Sequence, residues 1–227
     1  IPFGGTLPKI PKEMSVSDIQ RIQDAFVNAA KRALAAGFEW LELHFAHGYL
    51  AHEFYSPLAN QRTDSYGGSF DNRIRFLLET FKAVRNVWPE RLPLAARLSV
   101  TDWIEGGVTV DESIELVRRL IAAGLDLLDV SQGFITPDIS QVPWGPGFMI
   151  PTASRIRRET GIPIAVGWMI TDPQQAEDAV RDQHTDLVLL AREMLRDPYW
   201  PYHAATKLGV EMAPEILPIQ YARAVKR

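Results

Sequence analysis

The feature that most constrains how this chain can fold is a unit that recurs along it: an amphipathic stretch ends on glycine and a short apolar run follows. Ala35-Ala36-Gly37-Phe38-Glu39-Trp40-Leu41-Glu42-Leu43 matches Ala122-Ala123-Gly124-Leu125-Asp126-Leu127-Leu128-Asp129-Val130 in pattern. Each copy reads as the end of a helix, a glycine that accepts the left-handed cap, and the start of a buried strand. Strands that alternate with helices are joined by crossovers, and crossovers impose a parallel sheet. The pattern predicts five strands, over 38–45, 93–100, 125–131, 162–167 and 186–191. Ile19, Ile22, Phe26, Ala29, Ala30 and Ala33 recur at helical spacing behind Ser15 or Ser17 as cap and before Gly37 as stop. Further helices are predicted over 72–88, 110–123, 149–159 and 173–183, with short ones within 198–208. A Pro- and Gly-rich opening loop over 1–14 and a tail over 215–227 frame one expected domain spanning 1–227. A doubly wound sheet accepts five strands, whereas a closed (β/α) barrel needs eight and about 250 residues, so the periodicity leaves both open.

Composition removes several classes of function. No run of 18 or more uncharged apolar residues is present, so no membrane-spanning helix is expected. With 46% hydrophobic residues the chain has material for a core. Its 24 basic and 28 acidic side chains are scattered, without the basic patch that nucleic acid requires. The absence of cysteine excludes a disulfide framework, a thiolate metal site and a thiol nucleophile within these residues. No signal peptide opens the chain, and a cytoplasmic location is expected. The first residue is Ile1, so the chain is expected to be part of a longer one.

Parallel-strand folds place their chemistry at the carboxyl ends of the strands. Those ends carry His44-Phe45-Ala46-His47-Gly48-Tyr49, Arg97 with Ser99, Ser131-Gln132-Gly133, Gly167-Trp168 and Ala191-Arg192. Two histidines three apart fit a metal site, a structural pair under a loop, or a pair of N–H donors to a ligand with the Tyr49 phenol beside them. No third metal ligand is evident, and no metal is expected. Arg97 near the end of an apolar strand is either an arginine paired with a buried carboxylate or a fixed charge facing an electron-rich ring or carboxylate. Gly167 and Ala191-Arg192 stand on the last two strands before helices, where backbone N–H groups favour a phosphate. Neither a GxGxxG nor a GxxxxGK[ST] pattern occurs.

The segment HFAHGYLAHEFYSPLANQRTDSYGGSFDNRIRF resembles the most diagnostic stretch of the Old Yellow Enzyme family of flavin-dependent ene-reductases. The matching positions are His44, His47, Gly48, Tyr49, Leu50, Phe54, Pro57, Asn60, Arg62, Thr63, Asp64, Tyr66, Gly67, Gly68, Ser69, Asn72 and Arg73. HFAHGYL, VPWGPGFM and Trp168 are most similar to the xenobiotic-reductase branch, in the group called thermophilic-like. The resemblance implies a (β/α)8 TIM barrel of which this chain supplies the fourth to eighth units. It further implies FMN as cofactor and NADH or NADPH as reductant in a ping-pong cycle on electron-poor alkenes or nitro compounds. By the same resemblance His44 and His47 would bind the acceptor's oxygen and Tyr49 would act as general acid. Arg97 would face the flavin ring; Gly167, Trp168, Ala191 and Arg192 would hold the phosphate, Ala191 standing where the family pattern has glycine. Trp168 would also wall the substrate pocket. Pro218-Ile219-Gln220-Tyr221-Ala222-Arg223 resembles the branch's tail, which implies that Arg223 reaches a neighbouring subunit's site in a homodimer or higher homo-oligomer. The missing N-terminal part of the barrel is a further expected partner. The alternative from another class is a non-catalytic barrel fragment that serves as an assembly unit and carries no flavin.

Overall fold

A computed structural model describes residues 12–225 and contains five parallel strands: β1 (Leu41–Phe45), β2 (Leu94–Ser99), β3 (Leu127–Ser131), β4 (Ile164–Val166) and β5 (Leu187–Val188). They lie side by side in chain order, β1-β2-β3-β4-β5, each paired in parallel with the next. Sequential order with right-handed crossovers puts every connecting helix on one side, whereas a doubly wound sheet reverses direction and covers both faces. The two faces differ accordingly. Leu43, Phe45, Leu98, Val130, Ile164 and Val166 enter the main core with Ile19, Phe81, Leu120 and Ile156 from the helices. Each side chain so buried contributes about 1.5–3 kcal/mol. The opposite face carries a separate small cluster, Ala95, Leu127 and Ala165. The strand register stacks that face in layers: Glu42, Ala95 and Leu127, then His44, Arg97, Asp129 and Ala165, then Ser99 and Ser131. A parallel sheet with helices on one face and polar layers on the other is an arc of a (β/α) barrel.

The helices are α1 (Val16–Ala35), α2 (Leu50–Tyr55), α3 (Phe70–Arg73), α4 (Arg75–Arg85), α5 (Val110–Ala122), α6 (Ile150–Thr160), α7 (Pro173–Arg181), α8 (Arg192–Arg196), α9 (Trp200–Lys207) and α10 (Ile219–Val225), with a 3-10 turn at Ala213–Ile216. Local chemistry explains the starts of the long ones. Ser15 and Thr109 form capping boxes with Asp18 and Glu112, and Asp172 caps α7 ahead of Pro173. Gly161, in the left-handed conformation, ends α6. Among the described residues no helix is long and apolar enough to cross a membrane.

Several boundaries depart from the sequence pattern. Strand β1 begins at Leu41 instead of 38, because its first ladder bond is Leu41 N–H to Pro93 C=O at 3.3 Å. The predicted last strand, 186–191, shrinks to two residues because β4 ends at Val166 and offers it no backbone beyond. The helix predicted over 72–88 is two pieces, α3 capped by Ser69 and then α4, joined at Ile74. The segment after β1, for which the sequence pattern predicted no helix, contains α2. Within the tail expected over 215–227, part of the 3-10 turn and α10 form. Of the opening loop only 12–14 lie within the described residues.

The diagnostic segment after β1 is largely scaffold. The Asn60 amide donates to Phe54 C=O at 2.6 Å and Tyr66 C=O at 2.7 Å. Arg62 pairs with Asp64 at 2.5 Å and donates to Met14 C=O at 2.6 Å. Arg73, almost fully buried, donates to Tyr55 C=O and pairs with Glu112 on α5. A Cβ on Gly67 would lie 2.3 Å from Arg62 C=O. These bonds anchor α2 and therefore the residues that precede it.

Candidate functional site

Strand β1 delivers His44 to the inner face, and the chain then turns sharply. His47 has φ 62° and Gly48 φ 71°, both left-handed, and a histidine held there is strained unless its surroundings over-determine it. They do so from three sides. His47 N–H donates to Ser99 Oγ at 2.9 Å, and Gly48 N–H donates to His52 Nδ1 at 2.9 Å. Phe134 C=O sits where a Cβ on Gly48 would be, 2.2 Å away. The turn brings the His44 and His47 rings to 5.0 Å and the His44 and Tyr49 rings to 5.6 Å. Tyr49 is exposed at the rim.

On the layer beside His44, Arg97 Nε lies 3.0 Å from the buried Asp129 carboxylate. Of the two readings of Arg97 left open by the sequence, the pairing with a buried carboxylate is present, and with its side chain 32% exposed Arg97 also lines the groove. Burial pushes Asp129 up to about 7; Arg97 pulls it back and Glu42 adds to the rise. Burial also raises Glu42, against Arg97. Burial, then Arg97, then His44 and His52 hold His47 down to about 4. Desolvation followed by Arg97 and His52 lowers His44 as well. Above about pH 5, His47 is therefore a neutral imidazole that offers one N–H.

The loop after β3 and the residues after β4 build an aromatic wall. Phe134 stacks on Trp168 at 5.7 Å, while Phe148 and Trp144 stand 5.8 and 6.1 Å from Trp168. Trp168 Nε1–H donates to Ser131 Oγ at 3.0 Å, and the same hydroxyl lies 2.5 Å from His47 Nε2. A ligand oxygen approaching that nitrogen competes with Ser131. Phe134, Trp168 and Met169 are also left-handed, so the strained backbone clusters around the site.

These elements enclose a groove of about 880 Å³ that reaches from His47, Tyr49 and Arg97 to Gly167, Ala191 and Arg192. It is within the size range of a small-molecule or cofactor site. Of the residues predicted from sequence, His47, Tyr49, Arg97, Gly167, Trp168, Ala191 and Arg192 line it, and His44 adjoins it through its ring contacts. Arg223, on α10, does not line the groove of its own chain. Gly167 has a packing reason of its own, since a Cβ there would stand 3.0 Å from Leu189 C=O. Sequence reasoning passed over Asp129, Phe134 and Arg196, which also line the groove. Asp129 was detectable as an acid two residues before Ser131, on the same face of β3. Phe134 and Arg196 carried no comparable signal.

Imidazoles, a phenol and an ion-paired arginine thus gather at the carboxyl-terminal end of an arc of a parallel (β/α) barrel, the end where barrels of this kind carry their sites. The chain belongs to the NADH:flavin oxidoreductase / NADH oxidase family, whose sequence profile matches residues 5–211. It is 46% identical over 223 residues to an NADPH dehydrogenase of Geobacillus thermodenitrificans, covering 98% of this chain and 63% of that protein. The chain thus spans under two thirds of that relative's length. Among solved structures, 2-naphthoyl-CoA reductase in complex with 2-naphthoyl-CoA superimposes with a TM-score of 0.80 at 32% identity, over 87% of this chain and 30% of that one. The old yellow enzyme homologue from Zymomonas mobilis gives 0.72 at 26% identity, over 88% of this chain and 55% of that one. The coverage of 63% of the Geobacillus protein and 55% of the Zymomonas one agrees with five units of an eight-unit barrel.

Proposed function

We propose that the protein containing this chain is an FMN-dependent NAD(P)H oxidoreductase that reduces activated C=C bonds, as in enones and nitroalkenes. The observation that carries the reading is the convergence of His44, His47 and Tyr49, with Arg97 in the layer beside them, on one groove whose far end holds Arg192 and Arg196. The residues fit the cofactor. Arg97 sets its Nε 3.0 Å from the Asp129 carboxylate as an ion pair and has its terminal nitrogens for an electron-rich ring, and Arg192 with the backbone of Gly167, Trp168 and Ala191 suits a phosphate. Bound there, FMN supplies two-electron hydride chemistry between the nicotinamide and the acceptor.

The chain's own groups bind, polarise and protonate. His44 and His47 donate N–H bonds to the acceptor's carbonyl or nitro oxygen, drawing charge from its β-carbon. Neutral imidazoles suit this role because they donate without releasing a proton at neutral pH. Tyr49, the exposed phenol beside His44, delivers the proton to the α-carbon. Trp168 and Phe134 give a planar substrate an apolar wall and exclude water. Arg223 serves the site of a second copy, which accords with its position outside its own groove.

The test uses the full-length flavoprotein. His44→Ala combined with His47→Ala should abolish the binding of phenols, which mimic the bound oxyanion. Tyr49→Phe should slow alkene reduction more than reduction of the flavin by NADPH. A double variant that binds phenols normally, or a Tyr49→Phe variant slowed equally in both halves, would overturn the assigned roles.

A further inference from the structure

Behind the histidine turn lies a polar pair that the proposed chemistry does not use. His52 and Asp102 both have fully buried side chains, and His52 Nε2 lies 3.0 Å from Asp102 Oδ1. The contact is one of proximity, since neither atom has an aligned hydrogen bond. On the other side of the ring, Nδ1 accepts from Gly48 N–H at 2.9 Å. A nitrogen that accepts carries no proton, so the ring proton is on Nε2, facing the carboxylate. Asp102 is fixed in turn: its Oδ2 accepts from the Ser56 hydroxyl at 2.7 Å and from Val108 N–H at 2.8 Å. Gly107 lets the loop close around it, because a Cβ there would stand 2.6 Å from Asp102 Cβ.

We infer that His52 and Asp102 form a positioning pair that sets the tautomer of His52, holds the His47-Gly48 turn left-handed, and so determines where His47 and Tyr49 stand. The inference rests on the ligand-binding role given to His47 above. Neither residue lines the groove; both act through the backbone of Gly48. The carboxylate is required specifically. Oδ2 receives two donors, so in Asp102→Asn the amide oxygen must take that place and the amide NH2 must face His52 Nε2. Nε2 then has to accept, the ring proton moves to Nδ1, and Nδ1–H confronts Gly48 N–H, donor against donor. The strained turn loses one of its three restraints.

The test is the affinity of the full-length FMN-loaded protein for 4-chlorophenol, titrated through the flavin absorbance, with thermal midpoints measured in parallel. His52→Asn places an amide at the depth of Nδ1 and can still accept from Gly48 N–H. His52→Gln places its amide one carbon deeper and cannot. We expect His52→Asn to bind within about threefold of the parent, and His52→Gln and Asp102→Asn to bind about tenfold to a hundredfold more weakly. A pair that only stabilises the fold would lower the midpoints without separating Asn from Gln at 52, and either that result or unchanged affinity in His52→Gln and Asp102→Asn overturns the inference. If one of those two variants does not accumulate as folded protein, the other decides. His47→Ala is the control: if it leaves the affinity unchanged, the reading of the site has failed and the positioning role falls with it. If it weakens binding while Asp102→Asn does not, the positioning role alone fails.

Discussion

Gly48→Ala is the substitution whose consequences the structure specifies most fully. Two costs are separable. Gly48 has φ +71°, and an alanine held in the left-handed region costs about 1 kcal/mol. Its Cβ would also lie 2.2 Å from Phe134 C=O and 3.0 Å from the Phe134 carbonyl carbon, so backbone must move by about 1 Å to restore contact distance. Displacing packed backbone by that amount costs about 1–3 kcal/mol. The expected destabilisation is therefore about 2–4 kcal/mol, or roughly 4–8 °C in thermal midpoint at about 2 °C per kcal/mol for a protein of this size. Two glycines nearby isolate the parts. Gly68 has φ +79° with nothing within 4 Å, so Gly68→Ala should show only the conformational cost, about 1 kcal/mol. Gly67 has no positive φ but would clash with Arg62 C=O at 2.3 Å, so Gly67→Ala should show only the clash. Scanning calorimetry of the three variants of the full-length protein at one scan rate makes the comparison. Gly48→Ala should lose about as much as the other two together; if it loses no more than Gly68→Ala, the close packing of the histidine turn against the loop after β3 is not what stabilises it.

Acid stability should report on the half-buried His47. His47 is held down to about 4, so below its ordinary value near 6.5 the unfolded chain takes up a proton that the folded one refuses. Its contribution is present above about pH 6.5 and is lost as pH falls toward 4, and His47→Asn should flatten that part of the curve of midpoint against pH. Asp129 has the opposite sign. With its carboxyl raised to about 7, the folded state holds the proton more tightly, so stability falls as pH rises from about 4 to 7, and Asp129→Asn should reduce that fall; an unchanged slope would count against a buried, proton-retaining Asp129. Arg223→Ala should raise the substrate KM of the full-length protein while leaving the mass measured by light scattering unchanged. Unchanged kinetics would remove Arg223 from the shared site.

The alternation of strands and helices, the start of α1 at Ser15 and its stop at Gly37, and the placement of chemistry at the strand ends were legible because they are local. A capping box or an apolar stripe depends on residues three or four apart, and the chain carries that information wherever it folds. The barrel was legible only through the family resemblance: by periodicity five strands suit two architectures, and the order β1 to β5 with helices on one face selects the barrel on physical grounds. Residue types at the site were also readable, since His44, His47, Tyr49 and Arg97 follow apolar runs. What holds them was not. His47 meets Ser131 across 84 positions, and Gly48 is packed by Phe134 and bonded to His52, whose far nitrogen lies against a carboxylate on the loop after β2. Such contacts join loops that follow different strands, and their partners have no fixed spacing in sequence. They exist only once the parallel ladder has brought the carboxyl ends of β1, β2 and β3 side by side, which is why the sequence by itself determined the elements and the reactive groups, and the tertiary structure decided their orientation, burial and charge.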